Sequence, residues 1–138
     1  NVERMVVDLE NKMWVLTTEK PAHLYRLNAS VAIEQDWIFG SNDQPLYLEI
    51  SPDGEQLYFV NGNAVYRQDA DAASLQPQKI LDFSGQNIYG FDVDPKTGDL
   101  YLADALDYNQ ASDIYRYSSD GVLLGQFKAG VISNGVRF

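Results

Sequence analysis

Short apolar runs recur along the whole chain, each closed by a cluster of Gly, Pro, Asn or Asp. Nowhere is the 3.6-residue period of an amphipathic helix sustained, so the pattern predicts strands throughout. The first group of runs places strands at 5–8, 12–17 and 22–27 and a weaker one at 34–39, with Pro21 breaking the ladder ahead of the third. The second group places them at 45–50, 56–60, 64–67 and 79–81. Its turns are Ser51-Pro52-Asp53-Gly54, where Pro supplies the φ of a tight turn, and Asn61-Gly62-Asn63, whose residues tolerate positive φ. The third group places strands at 88–93, 100–104, 112–117 and 122–127, and Asp94 to Gly98 repeats the turn chemistry.

The three groups are copies of one unit. Val7, Ile50 and Val93 stand 43 residues apart, Trp14, Tyr58 and Tyr101 follow at steps of 44 and 43, and Leu24-Tyr25-Arg26, Val65-Tyr66-Arg67 and Ile114-Tyr115-Arg116 complete the register. Four strands repeated at a period of about 40 to 45 residues predict the blades of an all-β propeller. The blades span about 5–39, 45–82 and 88–128, and an extra strand is expected at 132–138. A propeller closes with about four to eight blades, so three leave two uncovered sides. The preferred reading is the C-terminal part of a seven-bladed parent, with 132–138 closing the ring. Assembly of two or more such chains into one ring is the alternative.

Composition narrows the partners. A formal net charge of -10 is the wrong sign for nucleic acid or an anionic lipid surface. The absence of cysteine removes disulfides, thiolate nucleophiles and Cys-type zinc sites. No apolar run approaches the roughly 20 residues of a helical membrane span. The chain opens at Asn1 almost directly into a strand, which reads as a start inside a longer protein.

Loops between second and third strands, and those joining successive blades, gather on one face of a propeller around its channel. Here they are Thr18, Glu19 and Lys20, Asn61 to Asn63, residues 104–111, and the connections 40–44, 82–87 and 129–133. The 104–111 loop is longer than its counterpart at Asn61 to Asn63, and extra length on a rigid scaffold is often functional. Asp104, Asp107, Tyr108, Asn109 and Gln110 are therefore candidate ligand-binding residues. They suit a polar ligand, a planar one or a calcium ion, or else turn capping and edge cover. Asn42, Asp43 and Tyr47, with Asn87 and Tyr89, form a second candidate set at the channel mouth, to be weighed against ordinary strand aromatic content.

The repeated Tyr-Arg pairs read as blade packing, with each guanidinium satisfied locally. His23 reads as a surface or strand-edge residue, because no motif supplies it with partners. Glu49, Asp92 and Asp104 could approach the channel as acid/base groups, but nothing marks a nucleophile. No metal or cofactor is expected.

The run from Val93 to Asp104, followed by Asp107-Tyr108, by Asp113-Ile114-Tyr115-Arg116-Tyr117, by Asp120-Gly121 and by Phe127-Lys128-Ala129-Gly130-Val131, resembles YncE-like, surface-layer-type propeller lipoproteins of Bacteroidetes. That group includes BtuG-type cobalamin binders that sit on an outer-membrane transporter. The resemblance implies a non-catalytic binding protein at the cell surface or in the periplasm, lipid-anchored in its full-length form. Its implied partners are a corrinoid or other bulky nutrient and a transporter, and Tyr108 with its loop is the part carried over most directly. A propeller lactonase or lyase, and a protein-interaction propeller, are the alternatives.

Overall fold

The first sheet is a meander of four antiparallel strands, β1 (Val2–Val7), β2 (Met13–Thr17), β3 (His23–Leu27) and β4 (Ile33–Ile38). The second repeats it with β5 (Leu46–Ile50), β6 (Gln56–Asn61), β7 (Ala64–Asp69) and β8 (Gln78–Asp82). The third comprises β9 (Ile88–Val93), β10 (Leu100–Asp104), β11 (Ala111–Tyr117) and β12 (Leu123–Val131). This computed structural model describes residues 1–131, and the closing strand expected at 132–138 lies outside the described residues. The innermost strands lie side by side, with β5 between β1 and β9.

Strand lengths depart from the sequence expectation where pairing outruns the apolar pattern. β12 runs to Val131 because its pairing with β11 continues through a bulge to Ala111. Residues 129–131 are therefore strand, not part of a connection on the ligand face. β7 runs on to Asp69 because Gln68, 2% exposed, anchors the connection from β7 to β8. Its amide nitrogen donates to the carbonyls of Asp69 and Ser74, and its amide oxygen accepts from the Gln76 N–H.

The second sheet is stacked between the other two, and its strand β6 is buried on both sides. Along β6, Leu57 and Phe59 face the first sheet and Tyr58 and Val60 face the third. The core accordingly falls into two seams. Trp14, Leu16, Leu24 and Trp37 of the first sheet meet Leu48, Leu57 and Phe59 of the second. Tyr58, Val60 and Val65 of the second meet Phe91, Val93, Leu100 and Leu102 of the third. Trp37, on the strand expected to be weak, is a seam anchor 5.4 Å from Trp14, ring centroid to ring centroid.

The repeated arginines are more than local packing. Arg26 lies 5.5 Å over the Trp14 ring and reaches Asp71 of the second sheet at 3.5 Å. Arg67 pairs with Asp120 of the third sheet at 2.9 Å. Arg116 instead binds Asp99 of its own sheet. At one end of the sheets the tight turns pack sheet to sheet, Leu9 beside Gly54 and Pro52 beside Gly98.

Candidate functional site

At the other end, the loops that join sheets meet the loops inside them. The Gln44 N–H donates to the side chain of Asn61, and the Ala105 N–H donates to the Asn87 carbonyl. The 104–111 loop is built on this second contact. Asp104 is 3% exposed, and its carboxylate accepts the N–H groups of Asn87 and Leu106 at 3.0 and 2.9 Å. It is a buried frame for the loop, not a group offered to a ligand. The Asn87 amide nitrogen donates to the Leu106 carbonyl, and its amide oxygen accepts from the Tyr108 hydroxyl at 3.2 Å.

That frame presents Tyr108 against Tyr89. The rings are edge to face with centroids 5.8 Å apart, and each side chain is 43% exposed. Tyr47 completes the group from the start of β5, half-buried, its backbone N–H donating to Glu3 at 3.2 Å. Burial first, then the nearby Glu3 carboxylate and the hydroxyls of Tyr89 and Tyr108, raise the Tyr47 phenol above its ordinary pKa. Among the described residues, five other than glycine have positive φ, and three lie here: Tyr47 at 57°, Leu106 at 52° and Tyr108 at 64°. Bulky residues enter that region at a cost of about 1–3 kcal/mol each and collect at functional sites.

The remaining candidates spread away from this cluster. Asp107 and Asn109 are exposed and satisfy each other, the Asp107 carboxylate accepting the Asn109 N–H and the Asp107 carbonyl the Asn109 amide. Gln110 and Asn42 are exposed. Asp43 caps its own turn by accepting from Gly40 and also takes a hydrogen bond from Asn61. Thr18, Glu19 and Lys20 line a cleft of about 120 Å³ with Gln44 and Leu46. A cleft of about 200 Å³ at the opposite end lies among the structural turns around Arg26. His23 pairs with Asp36 at 2.8 Å and stacks on Tyr25.

Along the innermost strands, Arg4 of β1 pairs with Glu49 of β5 and with Asp92 of β9, the latter at 3.1 Å. Burial raises the Glu49 carboxyl to about 7, Arg4 opposes the shift, and the Asp92 charge adds to it. Sequence reading places Glu49 and Asp92 near the channel but gives no sign of Arg4 or Glu3, because neither recurs in the repeat: the second and third copies have Tyr47 and Gly90 in place of Arg4, and Leu46 and Tyr89 in place of Glu3. Among the described residues, no three His, Asp or Glu side chains are grouped to hold a metal ion.

Solved structures share this arrangement. The chain folds as part of a β-propeller. A gluconolactonase from Xanthomonas campestris superposes with a TM-score of 0.72 at 19% identity, over 97% of this chain and 49% of that one. A chain of a nidogen/laminin complex gives 0.69 at 18%, over 97% and 51%. A quinonprotein alcohol dehydrogenase-like protein from Bacteroides thetaiotaomicron gives 0.69 at 19%, over 91% and 33%. The chain thus spans about half the length of the first two and a third of the last. No family model matches the sequence, and no curated protein matches it.

Proposed function

We propose that the chain is a non-catalytic ligand-binding portion of a β-propeller, and that its ligand is a bulky, ring-bearing polar molecule held against Tyr89, Tyr108 and Tyr47. The observation that carries this reading is the exposed Tyr89–Tyr108 pair, held by Asn87 on a loop whose backbone is strained at Leu106 and Tyr108. Aromatic faces beside amides and a carboxylate suit a molecule with both ring surface and hydrogen-bonding edges. The resemblance to YncE-like lipoproteins extends the reading to a corrinoid, passed to an outer-membrane transporter from the cell surface or periplasm. Titration calorimetry with cyanocobalamin tests that version: saturable heat that Tyr108→Ala weakens supports it, and no heat at tens of micromolar protein rejects the corrinoid.

A second reading rests on Glu49. A carboxyl that titrates near neutrality beside an arginine, on the channel strands, is the kind of group that acts in acid/base chemistry. The gluconolactonase neighbour makes lactones the substrates to try. Lactone hydrolysis that Glu49→Gln abolishes would establish an enzyme and displace the binding reading.

A further inference from the structure

We propose that the molecule held at the tyrosine face carries a positive charge, as an alkylated ammonium group seated among Tyr47, Tyr89 and Tyr108 with Glu3 as its counter-charge. It rests on the reading of that face as the ligand site and names the class of group the face selects.

Tyr89 and Tyr108 stand with their ring planes at 86° and their centroids 5.8 Å apart, both exposed. Two perpendicular rings form the sides of a corner that solvent reaches. Tyr47 adds a third ring, packed on the core that joins the second and third sheets. Aromatic faces are the negative regions of their ring quadrupoles and attract cations, most effectively those that shed water at little cost. Alkylated ammonium groups are of that kind. Metal ions are not, and among the described residues no three His, Asp or Glu side chains are grouped to hold one.

The charge around the rings has one sign. Glu3 is half-buried: one carboxylate oxygen accepts the Tyr47 N–H at 3.2 Å, and the other, Oε2, is buried and accepts from no described residue. A carboxylate partly out of water and short of a hydrogen bond favours a positive charge brought near it. The segments that carry the tyrosines, residues 40–47, 86–89 and 104–111, contain Asp43, Asp104 and Asp107 and neither Lys nor Arg. Arg4, next to Glu3 in β1, is held by Glu49 and Asp92. Burial first, and then Glu3 and the other two tyrosines, raise the Tyr47 phenol, with Arg4 opposing. An anion would meet repulsion here, and a neutral group would gain nothing from Glu3.

Ligand-observed NMR titration with choline tests this against dimethylbutanol, its uncharged isostere in which carbon replaces nitrogen. Choline is expected to bind about tenfold more tightly than the alcohol. Glu3→Gln, which keeps an acceptor for the Tyr47 N–H, is expected to cut that preference by about threefold or more. Tyr108→Ala is expected to weaken choline binding, each variant retaining the circular dichroism spectrum. Equal binding of the two probes, no binding of choline, or choline binding that both substitutions leave unchanged would overturn it. Cyanocobalamin that binds through Tyr108 while choline does not removes the positive charge and keeps the tyrosine site, and binding of neither removes both.

Discussion

Arg67 on the second sheet and Asp120 on the third meet at 2.9 Å across the seam, and the residue after Asp120 is the one that lets the sheets come that close. Gly121 has φ 84°, and a Cβ there would stand 2.3 Å from the Ile80 carbonyl oxygen. Backbone cannot yield as a flexible side-chain tip would. Gly121→Ala is therefore expected to lower stability by about 2 kcal/mol or more in urea unfolding, through both the clash and the positive φ.

The opposite change is expected at Val31. This β-branched residue has φ 63° in the turn between β3 and β4, where its N–H donates to the Asn28 carbonyl, and its side chain is 69% exposed. It strains the backbone with little packing in return. Val31→Gly is expected to raise stability by about 1 kcal/mol, read as a higher urea midpoint at unchanged slope.

Glu49 gives a pH signature. Its carboxyl is raised in the fold from 4.5 to about 7, so the folded chain holds a proton there that the unfolded chain releases. The contribution is full below about 4.5 and is lost as pH climbs through 7, by about 3 kcal/mol in all. Glu49→Gln removes this dependence. The stability difference between the two proteins, followed by urea unfolding from pH 4.5 to 8, should shift in favour of the variant by about that amount.

At the tyrosine face, Tyr108→Ala and Tyr89→Ala are each expected to weaken cyanocobalamin binding about tenfold by removing an aromatic contact. Stability should change by less than about 1 kcal/mol, since both rings are 43% exposed. Tyr108→Phe keeps the ring and loses only the bond to Asn87, so its effect on titration should be smaller.

The blades are legible in the sequence because a residue buried in every copy must recur at the period of the copies. Val15, Phe59 and Leu102 do so at steps of 44 and 43, next to Trp14, Tyr58 and Tyr101. What escapes that reasoning is the identity of the arginines' partners. Asp71 and Asp120 each stand four residues beyond the arginine of their own copy, yet only the stacking of the sheets shows that each serves the preceding arginine. The candidate site was legible in part for the complementary reason. The 104–111 loop is conspicuous because it breaks the repeat, but the inward turn of Asp104 depends on two backbone N–H groups from different segments. The Arg4 cluster left no trace, because an arginine stands at that position in the first copy alone, where the others have Tyr47 and Gly90.

Repeat proteins whose units touch only their immediate neighbours can lose structure from an end, one unit at a time, with stability close to a sum over units and seams. Arg4 does not respect that nearest-neighbour rule: one guanidinium joins the first sheet to both the second and the third. Detaching the third sheet would remove one of its two carboxylates and alter the charge around Glu49, so the sheets cannot fray without a change felt at the far side of the chain. Unfolding should then be a cooperative event of three sheets, with hydrogen exchange in β1 and β9 sharing a common slow limit.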